Sequence, residues 1–299
     1  QSVQWSPAGD RLGLTVAPRQ LTDDTLVFTR VRIVSPQGRV LGTVDNPGKV
    51  GGLTWSPDGA HLAFISAQDK HDAQQGRLFV VGRNGGAWRD LLPGLPGHVV
   101  DVEWGDAATV QFLSYEGVQA RLGEVGVDGG AQRTVLAAEG PLWSSFSRTA
   151  AGDIALLGST PAHPSEVFLL AAGETAPRRL TDSNPWLRDV QLARQEVIRY
   201  AARDGLEIEG LLVHPLERRG NARVPLIVVV HGGPESHYGN GWLTSYAQPL
   251  HHAAARGYAL FLPNYRSSTG RGVEFSKKGF GRPGMEEFDD VVDGVDHLI

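Results

Sequence analysis

Cysteine is absent from the 299 residues, which excludes disulfides, thiolate nucleophiles and zinc–thiolate sites in this chain. Purely apolar runs are only a few residues long, far short of the ~20 that a membrane-spanning helix needs. No excess of positive charge is present either. The 28 Lys and Arg stand against 33 Asp and Glu, a formal net charge of -5, so neither nucleic acid nor a membrane surface is an expected partner. No His-Glu-x-x-His occurs, and neither His231/His237 nor His251/His252 has zincin spacing, so no metal and no cofactor is expected. The lack of cysteine and of a secretory leader fits a cytoplasmic protein; a periplasmic or secreted one stays open if a leader has been removed. What the chain does hold is 41% hydrophobic residues, ample for more than one core.

Residues 1–195 read as short strands between turns. Trp5-Ser6-Pro7-Ala8-Gly9-Asp10 precedes an apolar strand at Leu12-Gly13-Leu14, and Trp55-Ser56-Pro57-Asp58-Gly59-Ala60 precedes another at Leu62–Ile65. Weaker copies begin at Trp104 and Phe146, so that successive aromatic anchors lie 50, 49 and 42 residues apart. Pro-Asp-Gly supplies a type I turn, and later strands follow at Leu78–Val81 and Glu166–Leu170. Antiparallel four-stranded units at this period predict a partial β-propeller of about four blades, with the tryptophans as core anchors. A β-sandwich with coincidental turns is the competing arrangement.

The pattern changes over residues 196–299. Two strands, Glu196–Tyr200 and Leu206–Val213, flank a hairpin turn at Arg203-Asp204-Gly205. Leu226–Val230 predicts a strand buried on both faces, as in a helix-covered parallel sheet. A helix is expected from about Trp242 to Arg256, capped by Gly257, and then a second buried strand over 258–262, stopped by Pro263. In the last segment Phe288, Val291, Val292, Val295, Leu298 and Ile299 recur at helical spacing, with Asp289, Asp290, Asp293 and Asp296 largely on the solvated surface. Strand, helix and strand in this order predict an incomplete α/β-hydrolase domain.

His231-Gly232-Gly233-Pro234 follows the first buried strand. Two glycines let the backbone bend sharply and bring its N–H groups close to a ligand, so the loop could donate to a developing oxyanion; a plain tight turn explains the glycines equally well. No serine in the chain has glycine two residues away on both sides, so no Gly-x-Ser-x-Gly elbow is present. Gly279-Phe280-Gly281-Arg282-Pro283-Gly284 lacks the Lys-Ser/Thr and the preceding strand of a phosphate loop.

Asp204-Gly205, Ile208-Glu209-Gly210, Val228–Pro234, Gly257-Tyr258, Asn264–Gly270, Gly272 and Asp289-Asp290-Val291 together resemble the prolyl oligopeptidase family of serine peptidases. The His-Gly-Gly-Pro form is most similar to its acylaminoacyl peptidase branch. Ser267 departs from the family, where glycine commonly follows Asn-Tyr-Arg. The resemblance implies a propeller capping an α/β-hydrolase domain, with the active site between them, and Ser-His-Asp acyl transfer on short peptides, with N-acylated ones as the branch's variant. A dipeptidyl aminopeptidase, an esterase or a binding protein with a degenerate hydrolase domain are the alternatives. Carried over residue by residue, Gly233 is the oxyanion N–H donor, and Gly232 and Pro234 shape its loop. His231, Tyr238, Trp242, Tyr246 and Arg266 are weaker pocket candidates. Further blades are expected before Gln1, and the serine, aspartate and histidine after Ile299, so the chain alone is expected to be inactive. Expected partners are a short peptide, the rest of the protein in the same or a separate chain, and a second copy in a homo-oligomer.

Overall fold

Four consecutive four-stranded antiparallel sheets, each ordered as its strands occur in sequence, are followed by a fifth, mixed sheet. The computed structural model describes residues 2–71, 76–217, 223–233 and 235–299. Sheet 1 comprises β1 (Val3–Trp5), β2 (Leu12–Val16), β3 (Arg30–Val34) and β4 (Val40–Val44), with the short helix α1 (Thr22–Leu26) between β2 and β3. Sheet 2 holds β5 (Val50–Trp55), β6 (His61–Ser66), β7 (Arg77–Gly82) and β8 (Trp88–Asp90). Sheet 3 holds β9 (His98–Trp104), β10 (Thr109–Glu116), β11 (Gln119–Gly126) and β12 (Gln132–Leu136). Sheet 4 holds β13 (Leu142–Arg148), β14 (Ile154–Thr160), β15 (His163–Leu170) and β16 (Arg178–Arg179).

The repeated turn explains how these sheets start. Gly9 N–H bonds Ser6 O at 2.9 Å and Gly59 N–H bonds Ser56 O at 2.8 Å, each turn joining the first two strands of its sheet. Neighbouring sheets hide their apolar faces against one another. Val31, Ile33 and Val44 of sheet 1 pack with Leu53, Phe64 and Phe79 of sheet 2. Leu78 and Val80 of sheet 2 pack with Val102, Val110 and Phe112 of sheet 3. Leu113 and Leu122 of sheet 3 pack with Trp143, Phe146 and Leu156 of sheet 4. The anchors also interlock. Trp104 donates its indole N–H to Thr54 O at 3.0 Å, and Trp55 donates to Gln4 O at 3.3 Å, each one sheet back and one residue before the preceding tryptophan. Trp5 departs from the expected core role: it is 57% exposed, because no described element packs on its outer side.

The fifth sheet has the order β17 (Gln195–Ala201), β18 (Glu207–Val213), β20 (Ala259–Asn264), β19 (Leu226–Val228). β19 and β20 pair in parallel; the other pairs are antiparallel. On one face Leu211, Leu260 and Leu262 pack with Leu250 and Ala254 of α2 (Leu250–Ala255). On the other, Tyr200 and Phe261 meet Val295 and Leu298 of α4 (Glu286–Leu298) and Phe275 of α3 (Val273–Ser276). β20 is buried at every position, as a strand covered on both faces should be.

Several local expectations change. β19 is half-buried, not enclosed, because among the described residues only β20 pairs with it. α2 starts at Leu250 instead of Trp242, since Pro249 cannot sit inside a helix and disfavours helical geometry in the residue before it. It ends at Ala255 with Arg256 as the cap, and Gly257 follows at φ +89, the left-handed conformation its sequence predicts. Pro263 does not stop β20: β19 pairs only as far as Phe261, so at Pro263 the strand has a single neighbour and its missing N–H is tolerated. α4 keeps Val295 and Leu298 of the expected face inward but is rotated so that its centre is elsewhere. Phe288 is 63% exposed, whereas Asp290 and Gly294 are buried. A Cβ on Gly294 would lie 2.5 Å from the Phe261 ring, so glycine is what allows this close approach. Among the described residues no helix is long and apolar enough to cross a membrane.

Candidate functional site

Parallel neighbours end side by side, so the loops that leave β19 and β20 meet at one end of the sheet, where α/β proteins place ligands. The two loops are laced together. Tyr265 donates its hydroxyl to His231 O at 2.7 Å, and its ring stacks on the imidazole at 4.5 Å. Ser268 donates to Tyr265 O at 2.6 Å, and its Oγ lies 2.9 Å from His231 Nε2, while His231 Nδ1 lies 3.1 Å from Gly232 O. Burial holds the His231 pKa below its ordinary value, so the ring is neutral near pH 7. Further along, Thr269 N–H bonds Ser236 O at 2.9 Å, and Thr269 Oγ1 meets His237 Nδ1 at 2.7 Å. Buried Asn264 accepts from Tyr238 N–H at 2.7 Å and donates to Tyr238 O at 2.9 Å.

Gly232 and Gly233 form the exposed tip of this construction. Gly233 has φ +133, and a Cβ there would lie 2.5 Å from Glu235 N, so the bend requires glycine. Pro234 lies outside the described residues. Glu235, next along, forms an ion pair with Lys49 just before β5. Both residues line a cavity of about 270 Å³ together with Val50, Ile65, His98 and Val99 of sheets 2 and 3. Glu235, two residues beyond Gly233, therefore lies in the gap between the N-terminal sheets and the fifth sheet. A larger cavity, of about 510 Å³ beside Arg77, Trp88 and Arg271, includes no residue of the 231–238 loop.

The other side of the gap is closed by the β10–β11 turn. Gly117 N–H bonds Gly270 O at 2.7 Å, Val118 N–H bonds Glu209 Oε2 at 2.9 Å, and Asn240 N–H bonds Val118 O at 2.7 Å. Arg199 pairs with Glu209 at 2.8 Å, and the ring of Tyr115 meets His237 edge-on at 4.8 Å. His237 is pushed down to about 4, first by burial and then by the nearby His98 and His231. His98 is pushed down to about 4 by burial, and its Nδ1 accepts Gly76 N–H at 2.7 Å. Histidines at this gap are thus neutral near pH 7.

The weaker pocket candidates separate. Tyr238 stays with the loop, its ring edge-on to His231 at 5.3 Å. Trp242 packs on His251 at 5.0 Å and donates its amide to Ser159 Oγ at 3.2 Å, beside sheet 4. Tyr246 is fully exposed and lines no wall, since Pro249 leaves its segment outside the helix. Arg266 points inward, 5% exposed, and engages Asp290 at 2.6 Å and Asp204 at 2.8 Å. Its donors are occupied within the fold, and Asp290, expected on a solvated face, is fully buried as its partner. Sequence reasoning assigned no role to Asn264, Thr269 or Glu235. The first two lie within the Asn-Tyr-Arg stretch that carries the resemblance, whereas no local signal couples Glu235 to Lys49.

Residues 244–299 match the family model described as the prolyl oligopeptidase family. Uncharacterized peptidase YuxL of Bacillus subtilis (strain 168) is 33% identical over 139 residues, which is 46% of this chain and 20% of that protein. The acylamino-acid-releasing enzyme of Sus scrofa is 32% identical over 106 residues, 36% of this chain and 14% of that one. Among solved structures, Pyrococcus horikoshii acylaminoacyl peptidase aligns with a TM-score of 0.77 at 21% identity, covering 99% of this chain and 45% of that one. The chain thus spans less than half the length of that solved protein, and the likeness is one of fold.

Proposed function

We propose that this chain, which belongs to the prolyl oligopeptidase family, forms part of a serine-type peptidase acting on short peptides. In this reading residues 1–195 are blades of a β-propeller and residues 196–299 open an α/β-hydrolase domain. The observation that carries it is the glycine bend at the tip of the β19 loop, held at the gap by the β20 loop. Peptide hydrolysis through an acyl-enzyme puts a negative charge on the former carbonyl oxygen. A donor fixed beforehand at that position stabilises the transition state by about 3 kcal/mol. Gly233 is the proposed donor through its backbone N–H, with Gly232 and Pro234 shaping the loop and neutral His231 locking its base.

The serine, its histidine base and the orienting aspartate are proposed to lie outside these 299 residues, since no Gly-x-Ser-x-Gly occurs within them. Serine attacks the scissile carbonyl while histidine takes its proton; histidine returns that proton to the leaving amine, and water then releases the acyl group. The gap between sheets 2 and 3 and the laced loops would admit a short chain and exclude a folded one.

A fluorophosphonate label tests this reading directly. Full-length protein should be labelled and should cleave acyl-alanyl chromogenic substrates, and this chain alone should do neither. Stable active-site labelling of the isolated chain would sink the proposal. Preference for a free dipeptidyl substrate would shift it to an aminopeptidase, and ester turnover without peptide turnover to an esterase.

A further inference from the structure

The lacing of the β19 loop brackets its tip without covering it. His231 is tied to Tyr265 and Ser268, Ser236 and His237 to Thr269, and Tyr238 to Asn264, all within the fifth-sheet region. Between these anchors Glu235 reaches the other way, to Lys49 at the entrance to β5 in sheet 2. The pair is partly shielded, with side-chain exposures of 20% for Lys49 and 32% for Glu235. Glu235 is two residues from Gly233, whose backbone has the freedom that only glycine allows at φ +133. A donor on so permissive a backbone needs an outside support if it is to keep hydrogen-bond distance to an oxyanion.

We propose that Glu235 and Lys49 are positioning residues that brace the Gly233 amide against sheet 2. An oxyanion donor in the fifth-sheet region would then be aligned by a side chain of an N-terminal sheet. The inference rests on the proposed role of Gly233. It also makes the alignment conditional on sheet 2 being docked at the gap, since an ion pair across two bodies is lost when they separate. Lys49 has further interactions, so changes at Glu235 are the cleaner probe.

The test uses full-length protein and an acyl-alanyl chromogenic substrate. Glu235→Gln keeps the shape of the side chain and removes its charge. It should lower kcat about tenfold while KM changes less than about twofold, the pattern of an interaction realised in the transition state. Rising salt should lower the wild-type kcat toward that of the variant and leave the variant unchanged, because a partly shielded pair is still screened. The charge swap Lys49→Glu with Glu235→Lys should recover part of the kcat lost in Lys49→Glu alone. That recovery guards against a single variant that merely folds badly. An active, fluorophosphonate-labelled wild type whose kcat is insensitive to Glu235→Gln at low and high salt overturns this inference alone. A wild type that is neither labelled nor active overturns the reading of the site, and this inference with it.

Discussion

Replacing Asp290 with asparagine should destabilise the protein by about 3–5 kcal/mol, the usual loss when one partner of a buried ion pair is removed. Asp290 is fully buried on α4, and Arg266 is nearly so. The carboxylate accepts Arg266 Nε at 2.9 Å, Nη2 at 2.6 Å and the Arg266 amide at 2.8 Å. An arginine guanidinium is effectively always protonated, so Arg266 stays charged when its partner is neutralised. An asparagine amide matches the carboxylate in shape, but it turns one acceptor into a donor facing a donor. Asp204, which accepts Arg266 Nη1 at 2.8 Å, remains and moves the expectation toward about 3 kcal/mol. At roughly 2–4 °C per kcal/mol for a unit of this size, the Tm should fall on the order of 10 °C. Urea denaturation of wild type, Asp290→Asn, and the double replacement Arg266→Met with Asp290→Leu checks the argument. The double variant should be more stable than Asp290→Asn, because no uncompensated charge is left in the interior. A single-variant loss below about 1 kcal/mol would refute the assignment of a buried, charge-held clamp between α4 and the β20 loop.

Acid should weaken the native state through His98 and His237. Both titrate at about 4 in the fold against an ordinary 6.5, so the unfolded chain binds their protons first. Stability is full above pH 6.5 and falls between 6.5 and 4 by about 1.4 kcal/mol per pH unit for each histidine. Denaturant midpoints measured across this range should show a shallower slope in His237→Gln, and an unchanged slope would refute the assignment. Ser267 has φ +74 and accepts Gly279 N–H at 2.8 Å. Ser267→Ala keeps the strain and strands the buried donor, whereas Ser267→Gly relieves the strain, so glycine should be the better tolerated by about 1 kcal/mol. Equal losses in calorimetry would contradict this. Trp104→Phe removes the indole bond to Thr54 O between sheets 2 and 3 and some packing, for a loss of roughly 1–2 kcal/mol in chemical denaturation.

Much of the architecture was legible because its signals are local. Trp-Ser-Pro turns followed by apolar strands marked the starts of sheets 1 and 2, and the Arg203-Asp204-Gly205 hairpin appears where the turn residues demand it. Errors arose where neighbours decide. Helical spacing placed Phe288 on the apolar face and Asp290 largely on the solvated one; Val295 and Leu298 do pack inward, but the small Gly294 and the ion pair with Arg266 bring Asp290 in and leave Phe288 exposed. Five β-forming residues made Leu226–Val230 read as enclosed, yet among the described residues β19 has a neighbour on one side only. At the site, the paired glycines announced a bend and the Asn-Tyr-Arg stretch announced a second loop, but not that Ser268 and Thr269 lace the two together.

Composition and period alone established the absence of thiol chemistry, the repeated antiparallel units and the change to alternating strand and helix after them. Each follows from which residues sit next to one another along the chain. The tertiary structure alone decided that Lys49 meets Glu235, 186 positions away. It alone decided that Arg266 faces inward and that Glu235, two residues beyond the glycine bend, lines a cavity with residues of sheets 2 and 3. Turns and strands are encoded within a few residues, whereas contacts between sheets depend on how separately formed faces come to rest against each other.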